Sequence, residues 1–490
     1  MTDSLSDRIL RAALWNGVGV FGNRFIQSAI TVVLARLLLP AEFGMVALLT
    51  VFTTLAAALL DSGFGAALIQ RQTVTREDES AVFHFNLAMA VVLYAALWFL
   101  AGPIARFFGQ PTLEPLARVM ALIFFFNAFG LVQDALLTKQ LAFRRQTAAT
   151  MWATALSGAV GVAMAVRGWG VWSLAAQAIA NAACRSALLW CYSPWRPLWR
   201  FRPAALGAMF PYGSRLLAAG LVGALLDNVY ALLIGRYFLK ADVGFYDRAQ
   251  TTQRLAADSL TGVLVNVSLP AYAAVQHDPE QLRQGYRRSI LYSSVVNFPL
   301  MLGLAAMARP LFLLLFSATW APSIPYFRIL CLSGLLFHLQ VLNLNVLKAT
   351  GRSDLLFRLA VVKVVLVLAG ATLAVRFGVT GLVWTQVVVA WLALAINAFY
   401  SGRLIRYPLR EQLREVWPYA LIGAVGAGLT LAASRALTNL PLAAQVGALA
   451  FLHLGAYLLL ARLFRLAAPF ELGRRLLAQV CRARTGGPRP

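Results

Sequence analysis

The sequence predicts an all-α integral membrane protein with about 14 transmembrane helices. We expect two six-helix bundles related by an internal repeat, followed by two additional C-terminal helices. Three observations support this fold class: the hydropathy of the chain, a repeated motif 200 residues apart, and the distribution of positive charge along the chain.

The chain is far more apolar than a soluble domain needs to be. Of its 490 residues, 60% are hydrophobic and only 13% are charged, and its mean hydropathy is +0.71. Apolar runs of about 20 residues recur along the whole length, and each is long enough to cross about 30 Å of hydrocarbon. We therefore expect the membrane-embedded part to account for most of the protein.

The internal repeat is clearest around a short turn. Residues 36–60 match residues 236–260 at eight of 25 positions. The matches include Arg36 with Arg236 and Gly44 with Gly244, which bracket the turn in each copy. A second signal is the tripeptide Ala-Val-Arg, which ends at Arg167 and again at Arg376 and precedes an apolar span both times. An internal duplication explains both signals.

Positive charge alternates along the predicted spans. The net charge is +24, with 43 Lys and Arg residues. If both termini are cytoplasmic, every predicted inner segment holds at least two of these residues, and the outer loops together hold eight. This pattern follows the positive-inside rule, so the basic balance does not indicate a nucleic-acid partner.

The same map predicts four regions. Residues 1–200 form an N-terminal six-helix lobe, 201–405 form a C-terminal six-helix lobe, 406–465 contain transmembrane helices 13 and 14, and 466–490 form a basic cytoplasmic tail. The two lobes are joined by P-W-R-P-L-W-R-F-R-P, which starts at Pro194 and is typical of a stiff interfacial linker.

Enzyme chemistry has little support. The four cysteines and four histidines are scattered without metal-ligand spacing, and the chain has no Walker A motif. The longest predicted outer loop, residues 308–322, offers no platform for the acids and bases of a membrane glycan polymerase or ligase. We therefore expect no cofactor other than a coupling ion, H⁺ or Na⁺.

Ionisable side chains within the spans are the candidate functional residues, because burying a charge in a membrane is costly. Five cations and three acids lie deep in predicted spans, and an excess of buried guanidinium groups favours binding of a phosphate. The acids are candidates for cation coupling, although structural ion pairs are an equal alternative for any one residue. The cations are Arg24, Arg215, Arg248, Arg254 and Lys363, and the acids are Asp61, Asp227 and Asp258.

Four further charges lie nearer the span ends, where long side chains can reach the interface: Arg118, Asp134, Arg185 and Arg328.

Several motifs resemble one family. They are A-R-L-L-L-P-A-E-F-G-M-V-A from Ala35, D-S-G-F-G-A-A-L-I-Q-R from Asp61, P-Y-G-S-R from Pro211, L-I-G-R-Y-F-L-K-A-D-V-G-F-Y-D-R-A-Q from Leu233 and V-S-L-P-A-Y from Val267. The chain resembles the Wzx-like oligosaccharide flippases of the MOP exporter superfamily over about residues 8–465. This resemblance implies two six-helix bundles that form a V, and translocation of undecaprenyl-diphosphate-linked oligosaccharides to the periplasmic leaflet.

The resemblance and the buried charges together predict a flippase of the bacterial inner membrane that works by alternating access. The expected partners are its lipid-linked substrate, membrane lipids, and the polysaccharide polymerase and glycosyltransferases of the same pathway, and we expect a monomer. One alternative is a cation-coupled exporter of small compounds on the same fold, and a less favoured one is a membrane polymerase or ligase.

Overall fold

The computed structural model describes residues 5–71, 74–199 and 203–474, and the secondary structure of these residues is helical. Nine helical stretches in this part of the chain are long and apolar enough to cross a membrane. One of them, Asp354–Leu404, has 51 residues and contains two consecutive helices that are each long enough to span. The predicted all-α membrane fold is confirmed. The count of 14 spans stays a prediction.

The chain divides into two compact units, residues 1–247 and 248–490. The predicted lobe boundaries near residues 200 and 405 stay predictions. Unit 1 contains α1 (Leu5–Leu37), α2 (Pro40–Asp61), α3 (Phe64–Gln70), α4 (Arg76–Phe107), α5 (Leu113–Met120), α6 (Ile123–Lys139), α7 (Phe143–Val166), α8 (Val171–Tyr192) and α9 (Pro203–Tyr237).

Helix α10 (Lys240–Ala274) begins in unit 1 and continues into unit 2. Unit 2 also contains two short 3₁₀ helices, Ala318–Trp320 and Val375–Phe377. Its remaining α-helices are α11 (Pro279–Ala306), α12 (Ala308–Phe316), α13 (Ser323–Gly334), α14 (Phe337–Ala349), α15 (Ser353–Ala374), α16 (Gly378–Leu404), α17 (Leu409–Ala436) and α18 (Leu442–Leu463).

The repeated turn folds in the same way in both copies. The chain leaves one helix at Leu37 or Tyr237 and starts the next at Pro40 or Lys240. An acidic residue at the third position of the new helix then caps it, because a carboxylate accepts the otherwise unpaired backbone N–H before the helix. Leu39 N donates to Glu42 Oε2 at 2.7 Å, and Leu239 N donates to Asp242 Oδ2 at 3.2 Å.

The two copies of the turn pack directly against each other within unit 1. A Cβ atom on Gly44 would overlap the carbonyl oxygen of Lys240 and lie 3.0 Å from Gly244 N. A Cβ atom on Gly244 would overlap the carbonyl oxygen of Pro40 and lie 3.2 Å from Gly44 N. This reciprocal contact is backbone against backbone. It explains why the repeat keeps glycine at both positions, since any side chain would separate the helices.

Two spans in equivalent positions of the repeat are interrupted. The stretches Leu113–Lys139 and Ser323–Ala349 both have 27 residues, and each is divided into two helices. At the first break, Leu122 N donates to Val119 O and Phe124 N to Ala121 O, both at 3.1 Å. At the second, Leu336 N donates to Ser333 O at 3.2 Å. These i→i−3 bonds form a tighter turn, which often marks a hinge.

A buried side-chain amide donates hydrogen bonds to the backbone carbonyls at the second break. Asn297 of α11 donates from Nδ2 to Gly334 O at 3.1 Å and to Leu335 O at 3.2 Å. The same amide contacts His338 Nδ1 at 2.9 Å. Carbonyl groups inside a membrane need such donors because no water is present to donate a hydrogen bond to them. Asn297 thereby holds the two halves of this span to α11.

Helix α18 is hydrogen-bonded to α11 around a proline. Pro299 lies inside α11 and has no N–H to donate to the carbonyl of Val295. Tyr457 of α18 fills this role, since its hydroxyl donates to Val295 O at 3.1 Å. One turn away, His453 Nε2 donates to Pro299 O at 2.9 Å. Helix α18 is therefore held to α11 by two buried hydrogen bonds.

Tyr457→Phe is expected to destabilise the protein by about 1 kcal/mol, because it leaves the Val295 carbonyl unpaired in an apolar environment. Thermal unfolding of the purified protein in detergent measures this effect. Tyr237→Phe is the matched control, since Tyr237 is 61% exposed. Equal melting temperatures for both variants would show that the Tyr457 bond contributes nothing.

Candidate functional site

The eight charges predicted from the sequence are divided between the two units. Unit 1 contains Arg24, Asp61, Arg215 and Asp227, and unit 2 contains the remaining four. Arg215 belongs to α9, but its side chain lies outside the described residues. Arg24 is half-buried in α1 and Asp227 is exposed in α9, and each has an interaction partner.

Asp61 lies at a kink inside the second span. Helix α2 ends at Asp61, and Ser62 and Gly63 adopt the left-handed conformation, with φ of 46° and 72°. The Asp61 carboxylate then accepts from Gly65 N at 3.2 Å and so caps α3. The D-S-G-F-G motif is thus explained by a helix interruption, in which glycine supplies the positive φ and aspartate the cap.

Arg248 is packed in unit 2 and is only 4% exposed. Its guanidinium lies over two aromatic rings, 5.5 Å from the centroid of Phe316 and 5.4 Å from that of Trp320. Such cation–π stacking stabilises a buried arginine. This placement favours a structural role for Arg248, which was the alternative left open for each buried charge.

The other three charges of unit 2 differ in burial. Arg254 and Asp258 are half-buried one turn apart on α10, and each has an interaction partner. Lys363 of α15 is exposed. The predicted role of Lys363 therefore stays a prediction.

A polar cavity of about 240 Å³ in unit 1 brings together charged and hydrogen-bonding groups from four helices. In the predicted topology, this cavity lies in the cytoplasmic half of the span region. It is lined by Gly19, Val20 and Asn23 of α1, Asp134 of α6, Phe143, Gln146, Thr147 and Thr150 of α7, and Arg185 of α8.

An ion pair forms one wall of this cavity. Arg185 Nη2 and Asp134 Oδ1 are 3.0 Å apart, and their side chains are 37% and 31% exposed. Arg185 Nε also points to Thr150 Oγ1 at 3.5 Å. Gln146 Nε2 donates to the same Asp134 oxygen at 2.9 Å and to Thr138 Oγ1 at 2.7 Å. These bonds fix the position of the carboxylate between two donors.

A stripe of hydroxyl groups extends from this pair along α7. Thr147, Thr150, Thr154 and Ser157 recur at spacings of three and four, so they share one face of the helix. Thr154 donates to Asn23 Oδ1 at 2.6 Å, and Asn181 Nδ2 donates to Ser157 Oγ at 3.2 Å. The cavity is thus connected to a hydrogen-bonded chain that links α1, α7 and α8.

The sequence places Asp134 and Arg185 near the ends of predicted spans, and the hydroxyl stripe is not among the predicted site residues. The periodicity of Thr and Ser in an otherwise apolar span was a usable signal, because such spacing places polar groups on one helix face. The pairing of Asp134 with Arg185, 51 residues further along the chain, had no local signal.

The cavity is suited to an oxygen-rich ligand. A guanidinium group has five N–H donors, and in this site two of its three nitrogens face Asp134 and Thr150. Within the described part of the chain, Arg185 Nη1 makes no hydrogen bond, so its donors are available. Together with the amide and hydroxyl groups, they can bind a phosphate group or a sugar ring.

Several relatives of known pathway are similar in sequence. The succinoglycan biosynthesis transport protein ExoT of Rhizobium meliloti is 29% identical over 76% of this chain and 75% of its own length. The teichuronic acid biosynthesis protein TuaB of Bacillus subtilis is 26% identical over 92% and 96%. The lipopolysaccharide biosynthesis protein WzxC of Escherichia coli is 26% identical over 79% and 80%.

Solved structures share the fold. The lipid II flippase MurJ in an inward closed conformation superposes with a TM-score of 0.74 over 92% of this chain and 98% of that one, at 11% identity. An inward-facing multidrug resistance MATE family transporter of the MOP superfamily superposes with a TM-score of 0.61 over 78% and 96%, at 16% identity. These likenesses confirm the predicted MOP-type fold.

The family model described as "Polysaccharide biosynthesis protein" matches residues 33–325, which is more than half of the chain and includes the repeated turn, the first interrupted span and the part of the polar cavity that α6, α7 and α8 form. The resemblance drawn from the sequence motifs is confirmed, and the chain belongs to the polysaccharide biosynthesis protein family.

Proposed function

We propose that the protein moves undecaprenyl-diphosphate-linked oligosaccharide repeat units from the cytoplasmic to the periplasmic leaflet of the bacterial inner membrane. Family membership and the polysaccharide pathways of the relatives support this function. The observation that carries it is the polar cavity of unit 1, where Arg185 has free donors inside a bundle of membrane helices.

The diphosphate of the substrate would bind in this cavity. Each phosphate oxygen accepts hydrogen bonds strongly from a guanidinium group. A cavity of 240 Å³ accommodates one phosphate group or sugar ring rather than a whole oligosaccharide. The remaining sugars would extend into the aqueous space, and the prenyl chain would stay in lipid.

The charges predicted from the sequence keep proposed roles. Arg24 follows Asn23 on α1, so it is one residue from the cavity lining and is a second candidate for binding the diphosphate. Arg215, Arg254 and Lys363 remain candidates for contacts with the sugars or the diphosphate, and Arg248 is a weaker one. Asp61, Asp227 and Asp258 are candidates for coupling to H⁺ or Na⁺. For Asp61, capping of α3 is a second explanation of why an aspartate is found at this position.

The interrupted spans support a conformational cycle. Binding sites of secondary transporters are often found near paired discontinuous helices in corresponding positions of two repeats. The breaks after Met120 and Gly334 lie in such a pair. Movement at these hinges would expose the site to the two sides of the membrane in turn.

The proposed setting follows from the predicted topology. Both termini would be cytoplasmic, the protein would act as a monomer, and its substrate would come from glycosyltransferases on the cytoplasmic side. A polysaccharide polymerase would use the translocated unit on the periplasmic side.

Deletion of the gene in the source bacterium tests this function. Cells without the protein are expected to lose the polysaccharide and to accumulate its lipid-linked repeat unit, and the native gene is expected to restore both. Unchanged polysaccharide, together with increased sensitivity to cationic compounds, would instead support the alternative of a small-molecule exporter.

A further inference from the structure

A second and larger cavity lies in unit 2 and shares no lining residue with the site described above. Its volume is about 1020 Å³. It is formed by the first turns of α11, the segment before α17, the first turns of α17 and the segment that follows α18. In the predicted topology these ends are all cytoplasmic, so the cavity lies at the inner membrane surface.

The cavity is lined mainly by charged side chains, four arginines and four glutamates, and also contains two tyrosines. The arginines are Arg283, Arg287, Arg288 and Arg414, and the glutamates are Glu280, Glu411, Glu415 and Glu471. The formal charges cancel, so net charge alone does not indicate the ligand. The pairing of the individual charged groups does indicate the kind of ligand.

All four carboxylates are engaged. Arg287 Nε lies 2.5 Å from Glu415 Oε1. Arg283 lies 3.4 Å from Glu411 Oε2 and 3.8 Å from Glu280 Oε2. Glu471 accepts from the Tyr292 hydroxyl at 3.4 Å. Two arginines are thereby neutralised, and no carboxylate of the cavity lining is left without a donor.

The remaining two arginines are not neutralised. Within residues 5–71, 74–199 and 203–474, neither Arg288 nor Arg414 forms an ion pair or a side-chain hydrogen bond, and both are exposed to the cavity opening. Two unpaired guanidinium groups that line one cavity attract an anion, and their flat donor arrays suit phosphate oxygens best.

Each of these arginines is followed along its helix by apolar side chains on the same face. On α17, Arg414 is followed by Trp417, Leu421 and Val425, which are 63%, 48% and 46% exposed. On α11, Arg288 is followed at intervals of four residues by the half-buried Tyr292 and by Val296, which is 40% exposed. A phosphate group at the arginines would therefore have apolar chains running along these side chains, with Trp417 at the level of the headgroups.

We propose that this cavity binds the phosphate group of a lipid at the inner surface of the membrane. The phosphate can belong to the diphosphate of the lipid-linked substrate before it enters the polar cavity of unit 1, or to an anionic phospholipid of the bilayer. The first source rests on the proposed function, whereas the second does not.

Isothermal titration calorimetry of the full-length protein in a neutral detergent tests the site. The probes are farnesyl diphosphate, dihexanoyl phosphatidylglycerol and the zwitterionic dihexanoyl phosphatidylcholine. The wild type is expected to bind the two anionic probes more tightly than phosphatidylcholine. Arg414→Ala is expected to weaken this binding about tenfold, and Arg288→Ala/Arg414→Ala more strongly, because each variant removes a charge-assisted hydrogen bond.

Two controls separate the site from general charge effects. Arg410→Ala removes the same charge one turn earlier on α17, from a residue that does not line the cavity, and it is expected to leave the affinities unchanged. Arg288→Lys/Arg414→Lys keeps the charge and is expected to retain part of the binding. All variants should elute as the wild type does in size-exclusion chromatography, since neither arginine holds a structural partner.

The outcomes distinguish the two phosphate sources. Tighter binding of farnesyl diphosphate than of phosphatidylglycerol assigns the site to the substrate, and equal or weaker binding assigns it to bulk phospholipid. Wild-type affinities in Arg288→Ala/Arg414→Ala would overturn the proposal. Flipping activity measured on the same variants is a separate readout, so loss of this site would not be confused with failure of the proposed function.

Discussion

Substitution of Gly44 or Gly244 by valine is expected to separate the two copies of the repeated turn and to shift the conformational equilibrium of the protein. A Cβ atom at either position would overlap a backbone carbonyl of the other copy. Backbone atoms cannot move aside as a flexible side chain can, and overpacking of this kind costs about 1–3 kcal/mol. If the contact exists in only one state of the cycle, the population of that state falls about 5-fold to 150-fold.

Double electron–electron resonance spectroscopy measures this separation. Spin labels at Leu39→Cys and Leu239→Cys report the distance between the turns, since both side chains are exposed, after the four native cysteines are replaced. Gly44→Val is expected to move the distance distribution to longer values. Gly447→Val is the matched control, because a Cβ atom there meets nothing within 4 Å. Identical distributions for Gly44→Val and the control would contradict a tight contact that opens during transport.

Neutralisation of Arg185 is expected to reduce flipping at least tenfold. Arg185→Gln removes the group proposed to bind the diphosphate, and a hydrogen bond to a charged group contributes about 1.5–3 kcal/mol. The loss is measured as the initial rate of substrate translocation in proteoliposomes that contain equal amounts of each variant. Arg185→Lys, which keeps the charge without the planar donor array, is expected to show an intermediate rate.

The partner residue distinguishes a binding role from a structural one. Asp134 and Arg185 are about one third exposed, so their pair contributes little to stability. Asp134→Asn leaves the guanidinium intact and is expected to retain transport. The double variant Asp134→Asn/Arg185→Gln removes both charges, and if Arg185 binds substrate it should be as inactive as Arg185→Gln alone. Recovery of activity in the double variant would show that the arginine only neutralises Asp134.

The sequence predicted the fold class because each supporting signal is local or periodic. Apolar runs, alternating positive charge and the Arg36–Gly44 repeat can all be read without knowing which helices touch. The acid that caps each repeated helix, Glu42 or Asp242, is also visible in the aligned copies. The contact between Gly44 and Gly244 was not predictable in this way, because a repeat shows likeness and not proximity.

The candidate site was harder to predict because it depends on contacts between distant segments. The sequence shows only that Asp134 and Arg185 lie near span ends, where long side chains can reach the interface. Their pairing depends on the packing of α6 against α8, which brings both side chains to one cavity. Lys363 was inferred from its position in an apolar span, which shows depth along the membrane normal but not the face of the helix. The two residues at the break after Met120 are Ala121 and Leu122, and neither is a proline or a glycine. The position of this break therefore depends on packing and not on a local residue type.

The most direct test of the central claim is reconstitution of the purified protein in liposomes with a fluorescent undecaprenyl-diphosphate oligosaccharide. Loss of fluorescence after addition of a membrane-impermeant quencher reports the fraction of substrate in the outer leaflet. We expect the wild type to equilibrate the substrate between leaflets, with a rate that responds to a proton or sodium gradient and falls in Arg185→Gln. Rates equal to those of protein-free liposomes, with uptake of small soluble cations instead, would contradict the account.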